Sequence, residues 1–192
     1  MTELVLSTRN EHKVREFAGL LPGYEVMPLP DAVVLPPETG DTFAANALTK
    51  SRTAAQATGK DAIADDSGIS ARALGGAPGV FSARYAGQNA GDRENLEKLI
   101  REVGATDDPH VEYVCAIAFV GADGTEQVFE GRCGGVLIAE QRGDGGFGYD
   151  PSVVPDDYED GRTMAELTQA EKDAISHRGR AARELLAWLS AR

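Results

Sequence analysis

Two adjacent carboxylates, Asp65 and Asp66, follow a short apolar run in the segment AIADDSG. Like charges at this spacing repel each other, and a carboxylate beside a protein core is costly to desolvate. We therefore expect a positive group close to this pair. The local pattern is compatible with a solvated turn, a helix-capping pair or a metal site. A metal site is an alternative because ligands bind at strand ends in α/β sheets, and because carboxylate oxygens are ligands of Mg²⁺, which also binds phosphate oxygens.

The stretch Thr8–Lys13 follows the apolar run ELVLS and opens a helical pattern. Free backbone amides at a helix N-terminus bind anions, and Lys13 lies one turn into the helix, where it could reach the same anion. The pattern G-x-x-x-x-G-K-[ST] is absent from the sequence, which argues against a P-loop nucleotidase. A capped helix with solvated charges is the simpler alternative.

A third candidate group combines an acid, an amide and a lysine. Asn46 and Lys50 are four residues apart and therefore lie on one face of a helix, and Glu38 stands shortly before a glycine at which the chain can turn. In isolation these residues also fit an ordinary polar helix face.

The segments GGFGYDP and SHRG combine an aromatic ring with basic residues. Glycines around Phe147 can expose its ring as a stacking platform. Lys172, His177 and Arg178 cluster near a helix junction. The alternative is a basic, solvated helix end that interacts favourably with the helix dipole.

Hydrophobic periodicity predicts a mixed α/β fold that would position these groups. Strands are predicted at ELVLS, YEVMPL and DAIA, with the last one ending at the two aspartates. Helical patterns follow, and Asn10 and Thr42 or Asp41 are predicted to cap the first two helices, the second of which ends at Gly59.

The second half of the sequence predicts antiparallel strands and then two helices. VEYVCAIAFV, TEQVFEGRC and GGVLI are rich in strand-forming residues, and Asp123-Gly124 is a strong hairpin signal between the first two. Thr168 and Glu171 form a capping box at the start of a C-terminal helical region.

Composition limits the class of protein. The 192 residues indicate one domain, residues 1–192, and the net charge of −12 argues against nonspecific binding to nucleic acid or a membrane surface, while it allows a small phosphate-bearing ligand. No apolar run approaches the roughly 20 residues that cross a bilayer, and the N-terminus does not resemble a signal peptide. Because Cys115 and Cys133 lack metal-ligand spacing, we interpret them as core residues and expect a cytoplasmic protein.

Five ordered blocks of the sequence resemble the inosine/xanthosine triphosphate pyrophosphatases. The blocks are STRNEHKVREF, ETGDTFAANALTKS, AIADDSGISARALGGAPGVFSARYAG, GGFGYDP and ELTQAEKDAISHRG, and together they extend over nearly the whole chain. The resemblance implies a Mg²⁺-dependent homodimer in which a long central sheet is flanked by helices, with two lobes around a cleft. It also implies hydrolysis of a deaminated purine nucleoside triphosphate to a monophosphate and pyrophosphate, which keeps such nucleotides out of DNA and RNA.

The same resemblance assigns roles to individual residues. Asp66 would be the catalytic carboxylate and would deprotonate the attacking water. Asp66 and Glu38 would bind the metal, which would supply the expected positive charge, and Asp65 would ligate it through water or tune the local field. The triphosphate would be bound by Thr8, Arg9, Asn10, Lys13 and Lys50, with Ser67 beside the substrate. The base would be held by Phe147, Gly148, Tyr149, Asp150, Lys172, His177 and Arg178.

Two alternatives remain at this point. One is a related pyrophosphatase that acts on modified pyrimidine or ordinary nucleotides, against which the basic pair Lys172 and Arg178 argues, because it suits a purine 6-oxo acceptor. The other is a non-catalytic nucleotide sensor, against which the presence of Glu38, Asp66 and Lys13 argues.

Overall fold

The computed structural model describes residues 2–192, which form a six-stranded mixed sheet flanked by helices. The strands are β1 (Thr2–Leu6), β2 (Tyr24–Pro28), β3 (Ala62–Ala71), β4 (His110–Val120), β5 (Glu126–Leu137) and β6 (Val153–Pro155). The α-helices are α1 (Glu11–Leu20), α2 (Phe43–Thr58), α3 (Asp92–Val103), α4 (Gln169–Ile175) and α5 (His177–Leu189). The predicted mixed α/β class is therefore confirmed.

The sheet order brings the predicted phosphate-binding stretch, Thr8–Lys13, close to the two aspartates of β3. Its order is β2-β1-β3-β4-β5-β6, with β1 parallel to both β2 and β3 and with β6 antiparallel to β5. Val5 pairs with Ala62 and Leu6 with Ile63, and the backbone amide of Ser7 donates to the carbonyl of Ile63 at 2.7 Å. Since parallel strands run in the same direction, the loop into α1 leaves β1 beside the aspartates of β3.

The first two helices begin where the sequence predicts. Asn10 caps α1 by accepting from the backbone amides of His12 and Lys13, and Thr42 caps α2 by accepting from the amide of Ala45. Gly59 ends α2 in the left-handed conformation with φ of 65°. These caps satisfy amides and carbonyls that a helix leaves unpaired at its ends.

The strands differ from the prediction in three places. β3 does not end at the aspartates but continues through them to Ala71, GGVLI is the continuation of β5 and not a separate strand, and β6 was not predicted. Successive side chains of a strand point to opposite faces, so β3 can include both carboxylates without placing them side by side. The adjacent charges that suggested a strand end are compatible with a continuous strand for this reason.

The described chain divides into two compact units. Unit 1 comprises Met1–Asp66, Cys115–Gly131 and Arg178–Arg192, and unit 2 comprises Ser67–Val114 and Arg132–His177. β3, β4 and β5 each contribute residues to both units. None of the helices within residues 2–192 is both long enough and apolar enough to cross a membrane.

Unit 1 has a separate apolar cluster on each face of its strands. Leu4, Leu6 and Ile63 belong to a cluster with Phe17 of α1 and Leu185 of α5. Val5 and Ala62 belong to a second cluster, which includes Ala54 and Ala55 of α2. The alternation along β1 and β3 thus assigns α1 and α5 to one face and α2 to the other.

Unit 2 has its own core, which contains Ile69, Leu96, Leu99 and Met164. Its β4 residues Val111 and Tyr113 belong to the same cluster. The cysteines are buried, Cys115 in unit 1 and Cys133 in unit 2, as predicted for core residues.

Candidate active site

Asp65 lies on the face of β3 that meets α1 and α5. Its side chain is fully buried, with Oδ1 3.0 Å from Lys13 Nζ and with Oδ2 accepting from Arg178 Nε at 3.2 Å and Nη2 at 3.0 Å. Burial alone would raise the pKa of Asp65, but the charges of Lys13 and Arg178 outweigh it and hold the pKa well below its usual range. Asp65 is therefore ionised, and it fixes two cations that come from two different helices.

Arg178 connects this carboxylate to α1. The guanidinium also bonds the carboxylate of Glu16, and its side chain is only 3% exposed. Sequence reasoning missed Glu16, which the i, i+3 spacing from Lys13 on the same helix could have indicated. Arg178, Asp65 and Glu16 all belong to unit 1, so the structure groups Arg178 with the acidic strand.

Asp66 points to the opposite face of β3, towards α2. Its Oδ2 accepts from Asn46 Nδ2 at 2.9 Å, and its Oδ1 is 3.7 Å from Lys50 Nζ. The same ammonium is 2.5 Å from Glu38 Oε1. Burial raises the pKa of Asp66, and the nearby Glu38 charge adds to this, while Lys50 and the Asn46 bond oppose it. The net raised pKa makes Asp66 a better proton acceptor than an ordinary aspartate.

Asn46 also fixes the segment that carries Glu38. Its Oδ1 accepts from the backbone amide of Gly40 at 2.8 Å, so its amide nitrogen must face Asp66. A Cβ on Gly40 would lie 2.7 Å from this oxygen, so the close approach requires glycine. Gly40, the glycine noted after Glu38 in the sequence, thus allows the segment that carries Glu38 to pack against Asn46, next to Asp66.

The donor set of this group fits Mg²⁺. Oxygens of Glu38 and Asp66 are both directed at Lys50 Nζ, so two hard carboxylate ligands already converge on one cation. Among residues 2–192, no group of three or more His, Cys, Asp or Glu side chains is arranged to hold a metal. A site with one or two carboxylates is nevertheless common for Mg²⁺, which takes its other ligands from substrate phosphates and water.

Asp65 has a different environment from the one expected of a metal ligand. Each of its oxygens contacts a cationic side chain of the protein, Lys13 at Oδ1 and Arg178 at Oδ2. These contacts favour a role in which Asp65 positions the two side chains over a role as a metal ligand. In the structure the positive charge next to Asp65 comes from Lys13 and Arg178, and that next to Asp66 comes from Lys50. A metal ion bound at Asp66 stays a prediction.

The loop from β1 to α1 holds the remaining residues expected at the triphosphate. Thr8 Oγ1 accepts from the amide of Asn10 at 3.2 Å, which supports the cap. Arg9 donates at 2.8 Å to the carbonyls of Leu29, Pro30 and Val33. Through these contacts Arg9 holds the segment after β2 in place. A contact between Arg9 and a phosphate stays a prediction.

Unit 2 brings together four of the residues that were expected at the base. Asp150 Oδ2 accepts from Lys172 Nζ at 2.8 Å and from the amide of Phe147 at 3.1 Å, and the ammonium lies 5.3 Å from the centre of the Phe147 ring. His177 is buried and its ring stacks on Tyr113 with centroids 4.9 Å apart. We call Asp150, Phe147, Lys172, His177 and Tyr113 the unit 2 polar group.

The remaining residues expected at the substrate have other partners. The amide of Gly148 donates to Asp92 Oδ2 at 3.0 Å, and the hydroxyl of Tyr149 donates to the carbonyl of Ser82 at 2.7 Å. Ser67 is half-buried and directly follows Asp66 on β3. The contacts of Arg178 do not place it in the unit 2 polar group, because its donors bond Asp65 and Glu16.

The capped start of α1 beside parallel strands, with Lys13 and Lys50 next to the two aspartates, is an arrangement that suits a phosphate-bearing ligand. The sequence model of the Ham1 family matches residues 4–188, and the chain belongs to the Ham1 family. A curated relative from Streptomyces coelicolor, a dITP/XTP pyrophosphatase, is 46% identical, and the match covers 97% of this chain and 96% of the relative. The dITP/XTP pyrophosphatase of Staphylococcus aureus strain MRSA252 is 41% identical, and the match covers 99% of this chain and 97% of the relative.

Solved structures agree with this assignment. The Ham1 protein of Staphylococcus aureus is 40% identical, superposes with a TM-score of 0.88 and is covered over 99% of both chains. A HAM1 protein from Coxiella burnetii is 40% identical with a TM-score of 0.90 over 100% of both chains.

Proposed function

We propose that the chain is a nucleoside-triphosphate pyrophosphatase that hydrolyses deaminated purine nucleotides, such as dITP, ITP and XTP, to the monophosphate and pyrophosphate. Its relatives named dITP/XTP pyrophosphatase match it over nearly their full length. The observation that carries the proposal is the Asp66 carboxylate, which Asn46 holds beside Lys50 and Glu38. The cytoplasm, which holds the nucleotide pool, is the compartment that this activity implies.

The phosphates are bound by unit 1. The amides at the Asn10-capped start of α1 attract anions, and Lys13 and Lys50 are the ammonium groups next to the two aspartates. Burial alone would lower the pKa of Lys50, but the charges of Asp65, Asp66 and Glu38 raise it, so Lys50 stays protonated. Lys50 can therefore stabilise the negative charge that develops on the leaving pyrophosphate, and Lys13, next to the start of α1, is placed to contribute.

The hydrolytic step uses Asp66 as the base. Asp66 takes a proton from water as the water oxygen bonds to the α-phosphorus. The bond from this phosphorus to the bridging oxygen breaks, and pyrophosphate leaves with the electron pair. Glu38 and Asp66 would hold Mg²⁺, which when bound offsets phosphate repulsion and polarises a phosphoryl oxygen.

The base is selected by the unit 2 polar group. The ammonium of Lys172 can only donate, and a 6-oxo purine presents an acceptor where adenine presents an amino donor. With adenine, a buried donor would lack its partner, and sites built on such pairing reject the wrong analogue strongly. Phe147 provides a stacking surface for any purine, which adds affinity with little discrimination.

The assembly that we propose is a homodimer. The proposal is based on the resemblance of the five sequence blocks to the inosine/xanthosine triphosphate pyrophosphatases.

The proposal is tested by pyrophosphate release from dITP, ITP, XTP, ATP and dTTP, with Mg²⁺ and with EDTA. We expect release from the three deaminated purine nucleotides, little from ATP and dTTP, and loss of all release with EDTA. Equal hydrolysis of ATP would favour a general nucleotide pyrophosphatase. Binding of dITP without any release would favour a nucleotide sensor, and either result would contradict the proposal.

Gly146 provides a test of the base group. Its φ of 72° lies in the left-handed region, and a Cβ there would be 2.1 Å from Asp150 Oδ2 and 3.0 Å from Lys172 Nζ. We expect Gly146→Ala to raise the KM for dITP by about tenfold, since about 1.4 kcal/mol of lost binding is a factor of ten, because Asp150 and Lys172 must move.

The control for this change is Gly161→Ala. Gly161 has a nearly identical φ of 73°, but nothing lies within 4 Å of its Cβ position. Both variants should lose about 1–2 kcal/mol in urea unfolding from backbone strain. Gly146→Ala should lose more than Gly161→Ala, because its Cβ also displaces Asp150 and Lys172, and only Gly146→Ala should change KM. An equal KM in the two variants would mean that the contacts of Asp150 and Lys172 do not serve binding.

A further inference from the structure

Tyr113 of β4 contacts two members of the unit 2 polar group at once. Its hydroxyl donates to Asp150 Oδ1 at 3.0 Å. Its ring stacks on that of His177, with centroids 4.9 Å apart and an angle of 13° between the planes. Tyr113 is only 5% exposed, so it supports these side chains from within the core of unit 2.

The two oxygens of Asp150 have separate partners. Oδ1 accepts from Tyr113, while Oδ2 accepts from the ammonium of Lys172 and the amide of Phe147. The terminal torsion of an aspartate is soft, so its carboxylate plane is set by its hydrogen bonds. A bond that fixes Oδ1 therefore also fixes Oδ2, and with it the position of the Lys172 ammonium.

The direction of the Tyr113 bond does not change with pH in the neutral range. Burial, and then the negative charge of Asp150, raise the pKa of Tyr113 well above its usual value. The hydroxyl therefore stays protonated and donates to Asp150 Oδ1.

We propose that Tyr113 is a positioning residue for base selection, which holds Asp150 so that Lys172 meets the 6-oxo group of a deaminated purine. The proposal rests on the function proposed above and adds a residue that acts through Asp150. The hydrolytic step belongs to Asp66, whose partners are Asn46 and Lys50. The loss of the Tyr113 hydroxyl should therefore change recognition of the base and leave turnover in place.

The test is Tyr113→Phe, which keeps the ring and removes the hydroxyl. We expect the KM for dITP to rise about tenfold, the size of effect for one hydrogen bond to a charged group. The kcat for dITP should stay within about twofold, and kcat/KM for dATP should change little, so that the dITP:dATP selectivity falls about tenfold.

Tyr85→Phe is the matched control. Tyr85 also lies in unit 2 and also donates its hydroxyl to a carboxylate, that of Glu102, but this pair is outside the polar group. The control should keep its KM and selectivity. Equal changes in the two variants would show a general structural effect and overturn the proposal.

A double-mutant cycle with Asp150→Asn tests whether Tyr113 acts through Asp150. In the Asp150→Asn background, Tyr113→Phe should raise KM by less than about twofold, since contacting residues are not additive. A full tenfold effect there, or a loss in kcat with unchanged KM, would overturn the positioning role. A wild-type chain without a preference for dITP overturns both proposals, whereas a preference that Tyr113→Phe preserves overturns only this one.

Discussion

The Asp66→Asn variant is expected to lose turnover of dITP by about 10³-fold, within the range for removal of a general base. Asparagine keeps the shape of the side chain, and its carbonyl oxygen can still accept from Asn46 Nδ2, the present partner of Oδ2. The variant lacks both the proton acceptor and the charge that faces Lys50. Pyrophosphate release under saturating dITP measures the effect on kcat.

Asp107→Asn is the control for this change. Asp107 is exposed and belongs neither to the unit 2 polar group nor to the contacts of Asp66 with Asn46 and Lys50, so the same chemical substitution should leave kcat near the wild-type value. The Asp66→Asn variant should still be stabilised against heat by dITP, because Lys13, Lys50 and the unit 2 polar group remain. Turnover within tenfold of wild type would mean that another residue activates the water.

The Arg178→Met variant is expected to lose about 3–5 kcal/mol of unfolding free energy, the cost of breaking a buried ion pair from one side. Asp65 is fully buried and accepts two bonds from Arg178, and Glu16 bonds the same guanidinium. Methionine fills similar volume but leaves Asp65 with Lys13 alone among these cations. Urea unfolding measures the loss, with Arg101→Met, an exposed position on α3, as the control.

The ion pair also predicts a pH dependence. The pKa of Asp65 is held below its usual value of about 4, so its charge contributes stability that is present above that pH and is lost as pH falls towards the depressed pKa. Arg178→Met should weaken this dependence, and Asp65→Asn in the same chain should restore part of the lost stability. A cost below about 1 kcal/mol would contradict a buried pair of this kind.

The activity of the Arg178→Met chain distinguishes the predicted contact of Arg178 with the base from a role in holding Asp65. A base-reading arginine would affect dITP far more than dATP. The contacts with Asp65, which also holds Lys13, instead lead us to expect similar losses for both nucleotides.

The sequence by itself determined the features that depend on near neighbours along the chain. The caps at Asn10 and Thr42 and the capping box of Thr168 and Glu171 were predictable because each joins residues two or three positions apart. The five blocks that indicated the family could also be identified from the sequence, because each block is a continuous segment of the chain. The prediction that Asn46 and Lys50 lie on one face of a helix is also confirmed, because both contact Asp66. Helical spacing alone is enough to predict this.

Tertiary structure alone decided which side chains the two aspartates bond. Arg178 is 113 residues from Asp65 in sequence, and Asn46 is 20 residues from Asp66, so local spacing contains no information on either contact. The sequence led us to end β3 at this pair and to assign Arg178 to the base. In the fold β3 continues, and its alternation turns Asp65 towards α1 and α5 and Asp66 towards α2, because each strand residue faces the side opposite to its neighbour.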